Sequence, residues 1–342
     1  MALLTRGARI VLAVVPVLLA AACADATVYG RGGGVGGGAD GGAKVALRVD
    51  WIGGFVTPQM LVTRLPIVAV YADGRVVDTG PEFAIAPGPA WPNVQLRRIS
   101  VADVRRLLEL AAASGVGRER DYGQPPVTDV PATRFTMQDA DGVTTAEVPA
   151  LLESDGTGLT PHQQAARRAA RKLYDALTDL PATLGAGAVG EPTPFTPTAV
   201  AAVASPWTDP CTGPAPVLEP ASTTSSSDAS SSSDATISSD ATTSSDTPIS
   251  AGGAAPGGLC ADGLPRQPER VWPGPRLPGE PIGDGLDVGC VTAVGGAATA
   301  VIEAAREAVA TTPWTSDGRL WRVNLRPLLP DESDCADLRA AS

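Results

Sequence analysis

Histidine is almost missing from this chain of 342 residues: His162 stands alone. Any Ser-His-Asp, Cys-His or multi-histidine metal chemistry would have to run through that one side chain, which sits at the start of an expected helix beside a proline. Lysine occurs only at Lys44 and Lys172, and asparagine only at Asn93 and Asn324. With 37 acidic against 26 basic residues, a formal net charge of -11 and no basic block, the chain repels phosphate backbones, which argues against nucleic acid as a partner. Aromatic residues make up 4% of the chain although 44% is apolar, so the expected core is light and built from Ala and Val. HExxH, GxSxG and Walker A motifs are all lacking. GxGxxG strings at Gly32/Gly34/Gly37 and Gly185/Gly187/Gly190 neither follow a strand nor open a helix, as dinucleotide binding requires.

What is present begins with an address. Arg6 and Arg9 precede an apolar run over 10–22, the three-part pattern of an export signal, too short to cross a hydrocarbon core that needs about 20 helical residues. The run 19–23, Leu-Ala-Ala-Ala-Cys, resembles a bacterial lipobox with its Leu one place further back than usual, which makes Cys23 the expected lipid attachment site. Ordinary secretion, with cleavage after Ala22 or Ala26, is the alternative. Nine glycines in 30–42 then read as part of a flexible tether.

The expected organisation is a signal peptide over 1–22, lipid attachment and Gly-rich tether over 23–43, an α+β domain over 44–184, a linker over 185–264, a small disulfide-clasped α+β region over 265–335 that could complete the same core, and a tail over 336–342. Strand-like runs at 45–52, 66–71, 76–77, 94–99, 132–137, 143–148, 312–314 and 320–325 surround three Asp-Gly dipeptides, at 73–74, 141–142 and 317–318. Asp-Gly accepts the positive φ of two-residue hairpin turns, so the fold class is α+β, with antiparallel hairpins packed by three amphipathic helices. Ser100 and Asp103 cap the first helix, whose stripe is Val101, Val104, Leu107, Leu108 and Ala111 before Gly115. Thr160-Pro161 opens the second, with Ala166, Ala169, Leu173, Leu177 and Leu180 on its apolar side and Arg167, Arg168, Arg171 and Lys172 on an outer basic face. The third spans 297–310. Within the linker, 225–248 repeats a hexad with Asp228, Asp234, Asp240 and Asp246, lacks apolar periodicity, and is expected to be solvated coil.

Cysteines outside the lipobox number four, and an even set in an exported chain favours two disulfides. Cys290–Cys335 and Cys211–Cys260 are the preferred pairs among three possible connectivities. No CxxC spacing suggests a metal or redox centre, and no cofactor is expected. Six tryptophans are expected mainly in the core, with Trp91 and Trp272 the exceptions because they lie in Pro-rich loops.

Taken together, the lipobox-like leader, the Gly-rich tether, the GGFV…RLP…YADGRVV region over 53–77, RDYG at 120–123 and WTSDGRLWRVNLRPLLPDE over 314–332 resemble an uncharacterised family of actinobacterial exported proteins, often called hypothetical lipoproteins. The resemblance covers most of 44–180 and 285–335 and implies location and domain limits, without an activity. The expectation is a non-catalytic protein, anchored by lipid to the outer face of the cytoplasmic membrane, that binds an envelope protein or glycan. Alternatives are an envelope hydrolase using carboxylates or His162, and an exported protease inhibitor presenting the Pro-rich stretch 266–281.

Overall fold

A computed structural model describes residues 43–82, 84–139, 142–209, 266–283 and 286–341. The leader with Cys23, the tether, the Ser/Asp repeat and the expected pair Cys211–Cys260 lie outside the described residues. Among the described residues, thirteen strands and six α-helices follow one another. They are β1 (Val45–Ile52), α1 (Pro58–Thr63), β2 (Val68–Tyr71), β3 (Arg75–Thr79), β4 (Val94–Arg98), α2 (Val101–Ser114), β5 (Ala132–Gln138), β6 (Val143–Pro149), α3 (Pro161–Thr178), α4 (Leu180–Leu184), β7 (Thr193–Pro194), β8 (Ala199–Pro206), β9 (Arg270–Val271), β10 (Glu280–Pro281), β11 (Gly289–Val294), α5 (Gly295–Arg306), β12 (Trp314–Ser316), β13 (Arg319–Pro327) and α6 (Cys335–Ala341).

Turn chemistry sets the hairpins. Gly74 takes a φ of 85° between β2 and β3, and a side chain there would run into the Ile99 carbonyl, so only glycine fits. Asp317 and Gly318 both have positive φ, at 51° and 70°, the two-residue turn that matches the strand twist between β12 and β13. β5 and β6 pair antiparallel as expected, with the Asp139 N–H donating to the Gly142 carbonyl at 3.1 Å, although Asp141 falls outside the described residues. The result is two sheets, ordered β6-β5-β1-β2-β3-β4-β7 and β10-β11-β8-β13-β12-β9, antiparallel throughout except where β9 lies parallel to β12.

Caps delimit the long helices. Ser100 Oγ accepts from the Asp103 N–H at 3.1 Å and Gly115 ends α2 at a φ of 99°. Thr160 and Gln163 complete a reciprocal capping box at the start of α3. This helix ends at Thr178, short of the expected Pro181, because Asp179 accepts from the Ala182 N–H and starts α4 instead. Likewise α5 covers 295–306, not 297–310.

α2 and α3 cover one face of the first sheet, where Leu47, Val49, Val70, Val76, Leu107, Phe135, Val148, Leu173 and Leu177 form a buried cluster. On one face of the second sheet, α5 packs with Trp272, Trp314 and Trp321; the other holds Val62 of α1 together with Cys335 and Leu338 of α6. Leu329, which follows β13, is buried among Ala69, Tyr71, Val77 and Val94 of the first sheet.

Three expectations need correction. Residues 185–264 are not wholly linker: β7 and β8 fall within them, and β8 is an interior strand of the second sheet, with Ala199 to Ala204 all buried. Both of its faces are covered, so it shows a continuous apolar run instead of an alternation. The tail over 336–342 contains most of α6, held by Leu338 in the core and by Asp337, which accepts from the Ser333 N–H at 2.7 Å. Trp272 is also buried, its indole N–H donating to the Pro275 carbonyl at 2.7 Å and its ring meeting Trp314 edge-on.

Candidate functional site

A cluster of charged side chains joins β1, β13 and the residues that follow β13. Arg326 is 2% exposed and donates through Nη1 and Nη2 to the two oxygens of Glu332, at 2.6 and 2.8 Å. Glu332 Oε2 also accepts from the Leu329 N–H at 2.9 Å, and Oε1 from Arg48 Nη2 at 3.3 Å. Arg48, on β1, donates further to Asp50 Oδ1 at 3.0 Å and Asp331 Oδ2 at 3.1 Å. The remaining Asp331 oxygen accepts from the Tyr71 hydroxyl at 2.6 Å. Burial, then the Asp331 charge and that hydrogen bond, push the Tyr71 hydroxyl far above its ordinary range, so it stays protonated and donating. Three carboxylates and two guanidiniums thus pair across the join between β1, β2 and the segment after β13, with one negative charge in excess. Each of the three carboxylates is engaged by an arginine, so the cluster works as a clamp.

A different feature borders the same strand. β12 pairs with β13 only at 319–321, and β8 pairs along its opposite side as far as Pro327. The Trp207 N–H donates to the Leu320 carbonyl and the Leu328 N–H to the Ala199 carbonyl, so even-numbered residues of β13 direct their main-chain groups at β8. Val323 and Leu325 direct theirs the opposite way, beyond the end of β12, where they find no partner among the described residues. That edge opens into a cleft of about 570 Å³ walled by Thr63 at the end of α1, by Ala310 and by the loop joining β3 to β4. The far wall is held by reciprocal bonds, Ala90 N–H to the Ala308 carbonyl at 3.0 Å and Ala310 N–H to the Gly88 carbonyl at 2.8 Å.

Both asparagines of the chain line this cleft. Asn93 braces the loop, donating to the Pro81 carbonyl at 2.9 Å and accepting from Gln95. The Asn324 carboxamide has no hydrogen-bond partner among the described residues. Glu82 is the one ionisable side chain among the described lining residues, and the Thr63 hydroxyl is already donating to the Gln59 carbonyl at 2.8 Å. The lining can recognise a ligand by hydrogen bonds and shape.

A second cleft, of about 450 Å³, lies where β2 and β3 meet the end of α3. Burial raises the Asp78 carboxyl above its ordinary range against the pull of Arg97, which lies 3.2 Å away. Asp179, on the same cleft, is engaged as the cap of α4. Structural partners therefore account for both acids.

Of the residues singled out from the sequence, Cys290 and Cys335 are joined in a disulfide that ties β11 to α6. His162 is an exposed second residue of α3. Arg167 departs from the expected outer basic face: it is 6% exposed and donates to the carbonyls of Pro149 at 2.7 Å and Ala150 at 2.6 Å. Its long side chain reaches across to the turn after β6, where Ala150 has a positive φ of 46° and its carbonyl also accepts from the Ser154 N–H at 3.2 Å. Asp121 of the RDYG run accepts from Gly123 and Gln163, bonds that keep its carboxyl below the ordinary range. In comparison with known proteins, no family model, no curated protein and no solved structure matches the chain.

Proposed function

We propose that the protein is a lipid-anchored extracytoplasmic binding protein that holds an envelope protein or glycan without transforming it. The observation that carries this reading is the cleft beside β13, whose free main-chain groups and unpartnered carboxamide face a space of ligand size and whose lining is almost without ionisable side chains. The address over 19–23 and the Cys290–Cys335 disulfide support an oxidising compartment outside the cytoplasm. Pairing of the buried Glu332 carboxylate with both Arg48 and Arg326 supports holding over acid–base chemistry.

The test is crosslinking in the native envelope, capture through a C-terminal tag and mass spectrometry of what co-purifies, run beside Cys23→Ala. A partner at near-equal amount is the expected result; recovery of the protein alone overturns the binding reading. Cys23→Ala is expected to leave the membrane fraction, and a variant still membrane-bound overturns the anchor.

A further inference from the structure

We infer that the free edge of β13 is a receptor for an extended peptide, which adds to the second sheet as a short strand. The inference rests on the binding reading above and names the class of partner. Buried main-chain N–H and C=O groups are nearly always paired in folded proteins. Val323 and Leu325 are only 5% and 7% exposed, yet their outward main-chain groups lack partners among the described residues. Two residues with both groups free offer four hydrogen bonds at the spacing of alternate strand positions, a pattern matched by another extended backbone. The free stretch runs from Arg322 to Pro327, where the missing N–H of proline closes the ladder. An added strand of about five residues fills it.

Recession of the edge selects the occupant. A second copy of this chain carries the same edge at the bottom of the same cleft, so two such edges cannot meet, whereas a single slender strand enters. Side chains of the guest alternate. Those beside Val323 and Leu325 share the face on which these two residues join the tryptophan core, next to Ala90. Those beside Asn324 lie on the opposite face and meet its carboxamide. Glu82 gives the lining its only charged side chain among the described residues, and the chain is acidic overall, so the guest carries a Lys or Arg. The recognised partner is a linear, basic peptide segment with alternating apolar and polar residues.

The experiment pans a phage library of random linear heptapeptides against the full chain, then follows amide exchange of the labelled protein with a selected synthetic peptide. Peptides of the stated pattern are expected to slow exchange at Val323 and Leu325 at least tenfold, while Asn324, already bonded to β8, changes little. Gly88→Leu is the blocking variant: a Cβ at Gly88 meets nothing closer than the Ile85 carbonyl oxygen at 3.9 Å, so the leucine occupies cleft space without straining the loop. It is expected to weaken binding at least tenfold, with tryptophan emission unchanged as the check on folding. Peptides that bind without protecting these two amides, and equally well to Gly88→Leu, overturn the edge assignment and leave the binding reading standing. A panning that yields no peptide overturns the peptide proposal, and the envelope crosslinking then decides the binding reading by itself.

Discussion

Replacing Glu332 by glutamine changes shape least and charge most, which makes it the sharpest perturbation of the clamp. The carboxylate accepts four hydrogen bonds, two of them from Arg326, and both side chains are nearly sealed from solvent, at 5% and 2%. Glutamine keeps one acceptor and turns an amide N–H toward a guanidinium N–H, leaving the buried Arg326 without its directly paired carboxylate. Removing one partner of such a pair costs about 3–5 kcal/mol. With a urea slope of about 3 kcal/mol/M for a chain of this size, the midpoint should fall by about 1–1.7 M. Trp314 and Trp321, buried beside α5, report the transition by fluorescence. The double change Arg326→Met, Glu332→Leu removes both charges and should recover most of the loss, because Arg48 keeps Asp50 and Asp331. A Glu332→Gln midpoint within about 0.3 M of the parent would refute the reasoning.

Two further outcomes follow from the same geometry. Cys290 and Cys335 close a loop of 45 residues, so replacing both with alanine should cost about 4 kcal/mol through unfolded-state entropy and lower the urea midpoint by more than 1 M; an unchanged midpoint would contradict it. Tyr71, whose ordinary value is 10.0, is raised in the fold, so above about pH 10 the unfolded chain releases a proton that the native state retains, and stability falls as pH rises. Tyr71→Phe should lose that component, about 1.4 kcal/mol per pH unit, while remaining less stable than the parent at pH 7; equal alkaline slopes in urea titrations at pH 9–11 would count against the Tyr71–Asp331 bond.

What the sequence disclosed depended on the physics that marks each residue. Asp-Gly turns and helix caps act over two to four residues, so the β2–β3 and β12–β13 hairpins and the starts of α2 and α3 were legible from local pattern. β8 was hidden because a strand buried on both faces carries no period of two, and AVAAVA beside a Pro-rich stretch looks like connecting chain. Helical periodicity sorts the Arg167 charge outward and cannot foresee the carbonyls of Pro149 and Ala150 that a neighbouring segment turns toward it. The bonds that tie Arg48 and Tyr71 to Asp331 and Glu332 span 260 to 284 residues, beyond any spacing rule. The open edge of β13 depends on β12 stopping at 314, which is a fact of pairing alone. One hint did exist: the scarcity of asparagine set Asn93 and Asn324 apart, and the fold places both on one cleft.

The clamp and the cleft share β13, and the link runs through α1. A helix of six residues cannot sustain itself in water, and only Val62 of α1 is buried. Its end is pinned instead by Arg64, whose Nη1 donates to the carbonyls of Trp51 at 3.1 Å and Gly53 at 3.0 Å, while its own carbonyl accepts from Arg326 Nε at 3.4 Å. Arg326 is in turn fixed by Glu332, so the Thr63 wall of the cleft is positioned from the buried ion pair outward. Arg64→Ala removes the outer pin alone. Water can replace it at the exposed carbonyls, so global stability should shift by less than about 1 kcal/mol. Amide exchange at Val62 and Thr63 should nevertheless quicken at least tenfold, with Asn324 on the β8 ladder unchanged. Unaltered exchange at both α1 residues would mean that packing on β8, β13 and α6 holds the wall without help, and the proposed path from ion pair to cleft would be wrong.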